Sequence, residues 1–255
     1  MPKKGARRNL KAEVKKNEEP IEEEKPDMLM DASISQARKG AKYSPSLQKL
    51  VDLEKGRLMP GVGAIQLVGC VEAREVQAKY SDEIDNFPRS FYNYLLLDPI
   101  ELSDGPHACD FPGFIASIFY GGKGTGSRPH DHLRQAIEVG EKKRKRSGKT
   151  DHIQDIWERG HGVYIFQLNQ NITSHESLAV EYCILEALGI SNLMNKYRGT
   201  KNYLPDGWRV KKARDFGTLL LFNAWNVFKL SNVKSLKEVH VKPAYVPPFD
   251  TKINP

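Results

Sequence analysis

Three groups of residues have the types and spacing that chemistry needs. The first is a carboxylate out of place. Along residues 174–188, Leu178, Leu185 and Leu188 recur at helical spacing with Ile184 beside them, and Glu181 falls in the middle of that apolar stripe. Glu176 and Glu186 point elsewhere. A carboxylate on a core-facing stripe is costly unless it is paired or bound to a metal. Periodicity alone leaves three readings: an ion pair with an arginine, a stripe edge that reaches water, or a metal ligand.

The second group is Gly121-Gly122-Lys123-Gly124-Thr125-Gly126, read as a turn running into a helix. Glycines let backbone approach a ligand closely, a helix N-terminus offers unpaired N–H groups to an anion, and Lys123 adds charge. The alternative is a tight connection without a ligand. It is not a Walker A loop, since no Lys-Ser/Thr pair closes a GxxxxG. The third group is Arg128 and His132, at i and i+4 on one face of the helix that this turn opens. Arginine suits planar contact with phosphate, and histidine can relay a proton; alone, such a pair is equally a surface feature.

Together these residues resemble the GIY-YIG nuclease superfamily. Its "GIY" element looks like Tyr92-Asn93-Tyr94, and its "YIG" element like Tyr120-Gly121-Gly122. The family's helix arginine falls on Arg128, the histidine of several branches on His132, the metal-binding glutamate on Glu181, and a recurrent asparagine on Asn195. The branch resembled is the nuclease domain of the animal ankyrin-and-LEM-domain nucleases. Its flavour lies in Tyr94-Leu95-Leu96-Leu97-Asp98-Pro99, Ser127-Arg128-Pro129, Asp155-Ile156-Trp157-Glu158 and Leu193-x-Asn195-x-x-x-Gly199. Three positions depart: Tyr92 and Asn93 stand for Gly and Ile of "GIY", and Gly121 for Ile of "YIG". No ankyrin repeat or LEM domain is evident.

The resemblance implies a metal-dependent endonuclease acting on duplex or branched DNA, structure-selective in repair or recombination. Glu181 would hold one Mg²⁺ or Mn²⁺. Arg128 and Lys123 would clamp phosphate, with Gly122, Gly124 and Asn195 also at the DNA. Tyr94 is the candidate general base, a role that needs adjacent positive charge to lower a phenol pKa from ~10. Tyr120 would orient water or phosphate, and His132 would relay a proton. The basic run Lys142, Lys143, Arg144, Lys145 and Arg146 could track the DNA backbone, serve as a nuclear address, or be a solvated loop. Two rival readings are a binding module on the same fold that no longer cuts, and a scaffold protein whose basic tails do the work.

The elements that must position these residues follow from pattern. Residues 92–97 and 114–120 are apolar runs predicted as strands, and 162–168 as a third. Ser127 and Pro129 start a helix; residues 152–159 look helical; Thr173-x-x-Glu176 is a capping box for a helix that Gly189 stops. Earlier, residues 45–55 predict an amphipathic helix capped by Ser44, with Leu47, Leu50, Val51 and Leu53 apolar, and 64–71 a strand followed by polar linker. The fold class expected is α+β, a small, mostly antiparallel three-stranded sheet flanked by helices.

Composition sets the frame. Residues 1–44 alternate basic and acidic blocks with few large apolar side chains, the pattern of a disordered tail. Residues 45–87 are then an N-terminal extension and linker, 88–204 the nuclease-like domain, and 205–255 an extension without an assigned role. A net charge of +7 favours a polyanionic partner. Three scattered cysteines argue against a disulfide framework or a zinc site. No apolar run is long enough to span a membrane, so the expected setting is intracellular, nuclear or cytoplasmic. Protein partners are not legible.

Overall fold

The computed structural model describes residues 40–55, 62–83, 88–102, 105–140 and 147–242. Most of the predicted tail, and the whole basic run 142–146, lie outside the described residues.

Helix α1 (Pro45–Lys55) begins where Ser44 turns its hydroxyl back to accept the Leu47 amide at 3.3 Å, and it buries Leu47, Leu50 and Val51. Helix α2 (Val62–Lys79) occupies the stretch expected as strand and linker. A short apolar run cannot by itself separate strand from helix. Here the helix continues through Ala73-Arg74-Glu75-Val76, and Val76 and Tyr80, four residues apart, are both buried.

Strand β1 (Phe91–Leu97) is the centre of the domain. It is followed by helix α3 (Phe111–Ser117), strand β2 (Ile118–Gly124), helices α4 (Arg128–Gly140) and α5 (Gly148–Glu158), and strand β3 (Val163–Ile172). Helix α6 (Ser174–Leu188), helix α7 (Val210–Leu230), strand β4 (Ser235–Leu236) and helix α8 (Glu238–Val241) complete it. The sheet order is β2-β1-β3-β4, antiparallel throughout. It has four strands where three were expected. The fourth pairs only Ser235 and Leu236 with Tyr164 and Val163, too short to leave an alternation in the sequence.

The second predicted strand is also corrected. Residues 111–117 are helical, because Asp110 caps the Gly113 amide at 2.7 Å and Pro112 suits a first turn. The strand starts at Ile118 and takes in Gly121 to Gly124, so most of the supposed glycine turn is sheet, paired with Tyr92, Asn93, Tyr94 and Leu95. The chain turns only at Thr125 to Ser127.

Both faces of the sheet are covered, which is why β1 is buried almost end to end. Leu95 and Leu97 face α1, α3, α6 and α7, in a core with Phe114, Ile184, Phe222 and Phe228. Tyr92, Tyr94 and Leu96 face α4 and α5 through Leu133, Ala136, Ile153 and Ile156. Helix α7 lies in the C-terminal stretch that the sequence left unassigned. It packs on α6 so closely that a β-carbon at Gly217 would meet the Cys183 carbonyl oxygen at 1.9 Å. Among the described residues no helix is long and apolar enough to cross a membrane.

Candidate active site

The two tyrosines are set by the β1–β2 pairing. Tyr94 sits opposite Gly122 and Leu96 opposite Tyr120, which brings the rings of Tyr94 and Tyr120 to 6.1 Å, stacked. Gly122 is small because it must be: a β-carbon there would stand 2.9 Å from the Tyr94 hydroxyl. The two departures at "GIY" serve the frame. Asn93 donates its amide to the Ser177 carbonyl at 2.9 Å, tying β1 to α6, and Tyr92 donates its hydroxyl to the Gly126 carbonyl at 2.5 Å, tying β1 to the turn before α4.

Helix α4 supplies Arg128 and His132 from the same face, as their spacing predicts. Arg128 is 54% exposed, and its only close anion among the described residues, Asp131 at 3.8 Å, is held more tightly by Arg134 at 2.9 Å. Its guanidinium is therefore available to a ligand. His132 is 2% exposed, with Nε2 2.6 Å from the Tyr94 hydroxyl oxygen and Nδ1 2.8 Å from the Lys149 Nζ. Burial first, then Lys149 and Arg128, push its pKa down to about 3. His132 is a neutral imidazole at any ordinary pH.

Lys123 donates from Nζ to the Ser174 hydroxyl at 2.8 Å, at the start of α6, and lies over the Phe91 ring. About two turns along α6 is Glu181. It does not lie on a core-facing stripe: Ser174, Leu178 and Glu181 share the half-buried face of α6, whereas Glu176 and Glu186 are buried. Their partners separate them. Glu176 closes the capping box with a 2.6 Å bond from the Thr173 amide, and Glu186 is held by Arg214 at 2.9 Å and Arg198 at 3.9 Å. Among the described residues no ion pair holds Glu181. Burial raises its pKa, with the charge and backbone amide of Lys123 pulling the other way.

The phenols report the same convergence. Burial raises Tyr94 strongly, Tyr120 and Glu181 raise it further, and Arg128 opposes them. Tyr120 is raised by burial and then by Glu181, again opposed by Arg128. Tyr94, Tyr120, Arg128, Lys123 and Glu181 thus share one electrostatic neighbourhood at the β2 side of the sheet. The expectation of a lowered Tyr94 phenol is reversed in this state.

Asn195 is placed differently from the expectation of a DNA contact. Its Nδ2 donates to the Gly121 carbonyl at 2.7 Å while its Oδ1 accepts the Gly121 amide at 3.1 Å. With the Met194 amide on the Phe119 carbonyl at 2.7 Å, this closes the free edge of β2. Gly122 and Gly124 are buried strand positions rather than an exposed phosphate cradle. The residue that sequence reasoning missed is Lys149. It stands over the Tyr120 ring at 4.4 Å as well as against His132, yet it ends a run of similar basic residues and nothing in the sequence sets it apart.

A tyrosine pair on adjacent antiparallel strands, an arginine opening the next helix and a carboxylate from a later helix make up the GIY-YIG class of domain. The chain belongs to the LEM-3-like GIY-YIG domain family, whose model matches residues 91–243. The chain is similar to the human "Ankyrin repeat and LEM domain-containing protein 1", 36% identical over 159 residues, covering 58% of this chain and 26% of that protein. The mouse protein of the same name is 31% identical over 179 residues, covering 67% of this chain and 33% of its own length. The Caenorhabditis elegans homolog is 27% identical over 207 residues, covering 80% of this chain and 28% of its own. The chain therefore spans about a quarter to a third of these curated relatives. No solved structure matches it. The family is a nuclease family, and its substrates are nucleic acids.

Proposed function

We propose that this chain is an active endonuclease that hydrolyses a DNA phosphodiester by in-line attack of water, with one divalent cation at Glu181. The observation that carries the reading is the state of that carboxylate: half-buried, in no ion pair among the described residues, and within electrostatic reach of both tyrosines, Lys123 and so of the Arg128 neighbourhood. A carboxylate partly withdrawn from water without a salt bridge is costly, and a hard cation relieves that cost. Among the described residues no three His, Cys, Asp or Glu side chains gather into a metal cage. The donor set fits Mg²⁺ or Mn²⁺, which bind through one or two carboxylates and complete their shell with water and phosphate. When bound there, the cation would supply Lewis-acid stabilisation of charge on the phosphate and on the leaving 3′-oxygen.

The remaining roles belong to this chain's own side chains. Arg128, exposed and loosely paired, would take non-bridging phosphate oxygens, and Lys123 would add positive charge beside it. Tyr94 would accept the proton of the attacking water. Its burial works against that role, and Arg128 supports it; neutralising Glu181 would remove one of the charges that now raise the phenol. Tyr120 would orient water or phosphate. Structure-selective cutting in DNA repair or recombination, and work in the nucleus, extend the same proposal.

The test is cleavage of duplex, nicked and branched DNA by the wild-type chain and by Glu181→Gln, with and without Mg²⁺. Cation-dependent cutting by the wild type that vanishes in Glu181→Gln, with DNA binding retained, supports the reading. Binding without cutting by the wild type would leave a nucleic-acid-binding module on the same fold.

A further inference from the structure

Lys149, Tyr94 and His132 make a chain of contacts whose direction decides what the Tyr94 phenol can do. It begins at the first turn of α5, where the reciprocal cap between Ser147 and Thr150 fixes the backbone around Lys149. From there the Lys149 Nζ reaches the His132 Nδ1 at 2.8 Å and stands 4.4 Å over the Tyr120 ring. On the far side of the same imidazole, Nε2 is 2.6 Å from the Tyr94 hydroxyl oxygen.

An ammonium has three protons to give and no lone pair to receive one, whereas a neutral imidazole has one donor nitrogen and one acceptor. With Lys149 donating, the nitrogen facing it is the acceptor, which puts the imidazole proton on Nε2 and aims it at Tyr94; Gln135, whose side chain also bonds His132, is the partner that Lys149 must outweigh. We propose that Lys149 is a positioning residue that fixes the Nε2–H tautomer of His132, so that the imidazole donates to the Tyr94 oxygen instead of taking its proton. The proposal rests on the reading of Tyr94 as the group that receives a proton from water.

The consequence is chemical. With the opposite tautomer, Nε2 would accept from Tyr94, and His132 would be the base that removes the phenol proton. With Nε2–H, the donor is already aimed at the oxygen on which negative charge resides once the phenol ionises, and it needs no reorganisation. The Tyr94 proton is then left for the Tyr120 hydroxyl, with which Tyr94 shares a side-chain hydrogen bond. The depressed basicity of His132, with its pKa near 3, agrees with a donor's part, and Lys149, pushed down to about 8 by burial and then by Arg128 and Lys196, still carries its proton at pH 7.

The experiment reads the tautomer directly. Nitrogen-15 NMR of the whole chain with labelled histidine, at pH 7 and without DNA or metal, distinguishes a protonated from a bare imidazole nitrogen; His132 is assigned through its contacts with Tyr94 and Tyr120. A protonated Nε2 and bare Nδ1 are expected. A protonated Nδ1 in the wild type would overturn the proposal, whether or not the protein cuts DNA. Because that readout needs no turnover, a wild type that never cleaves would sink the endonuclease reading and leave the tautomer result standing.

Kinetics then carry the second arm. Lys149→Met should lower kcat about 10–100-fold, the scale on which removing a histidine's orienting partner acts, with KM for DNA nearly unchanged. Lys149→Arg, which also only donates, should recover most of that loss. In a Tyr94→Phe background, Lys149→Met should cost nothing further. An additive loss in that background would show that Lys149 acts elsewhere and would overturn the positioning role.

Discussion

A β-carbon on Gly122 would lie 2.9 Å from the hydroxyl of Tyr94 and 3.0 Å from the ring carbon that bears it. The paired glycine is the space in which the phenol rests, so strand register and site geometry are one feature. Gly122→Ala should cost about 1–3 kcal/mol of stability, the range for overpacking a filled site. It should also push the phenol aside, and displacements near 1 Å can cost roughly 10²-fold in rate. Thermal unfolding and single-turnover cleavage measure the two effects. A variant with near-normal turnover would show that the phenol's position is not critical.

Tyr94→Phe should lower the cleavage rate about 10²–10⁴-fold, the usual worth of a general base, with DNA affinity nearly unchanged. The ring remains to pack against Tyr120 and Tyr92, so folding should survive. Tyr120→Phe should cost less if that hydroxyl only orients water. Comparable turnover of Tyr94→Phe and wild type would remove Tyr94 from the base role.

The glutamates of α6 should respond in opposite ways. Glu181 has a folded pKa raised above its unfolded value, so its ionised form destabilises the fold increasingly as pH climbs past the unfolded pKa. Glu181→Gln should therefore raise the melting temperature at pH 7 while abolishing cleavage; a gain of about 1 kcal/mol would read as roughly 2–4 °C. Glu186 is ion-paired, and Arg214→Met would strip its nearer partner at 2.9 Å. That change should approach the ~3–5 kcal/mol cost of an uncompensated buried charge, tempered by Arg198. Equal melting temperatures for all three proteins would contradict this division of roles.

His132 should leave a mark on acid stability. Its folded pKa is near 3 against an ordinary value of 6.5, so between those limits the unfolded chain holds a proton that the folded chain does not. Stability must then fall as pH drops from about 6.5 toward 3, with a contribution of up to about 1.4 kcal/mol per pH unit. Replacing the group with a non-titrating one, as in His132→Gln, should flatten that limb of the denaturation profile. An unchanged slope would mean that His132 is not withdrawn from water as the structure has it.

Closing the β2 edge is a structural task, so Asn195→Ala should act on stability first. Its side chain makes both bonds to the Gly121 backbone, and losing them leaves a buried strand position with two unsatisfied groups, worth about 1–3 kcal/mol each at most. Cleavage per folded molecule should fall less than in Tyr94→Phe, and DNA affinity little. A selective loss of DNA affinity at unchanged stability would restore the DNA-contact role.

Much of this protein is written locally. The capping box at Thr173 and Glu176, the Ser44 cap, the apolar run of β1 and the i, i+4 pairing of Arg128 with His132 depend on residues within a turn of each other, and sequence alone determines them. What it could not determine depends on distant partners. Residues 121–124 are strand because Tyr94 and Leu95 lie across from the glycines, and glycine has no side chain with which to announce a strand. Residues 64–71 are as apolar as a strand but continue into a helix whose buried Val76 and Tyr80 fix its face. The sequence flagged Glu181 as a charge on a core-facing stripe, yet it lies on the half-buried face of α6; what sets that carboxylate apart is that Arg214 and Arg198 reach Glu186 and not Glu181. Lys149 is one basic residue among many until α5 carries it to His132. Local hydrogen bonds and spacing make elements legible, but which charge meets which is decided only when the elements pack.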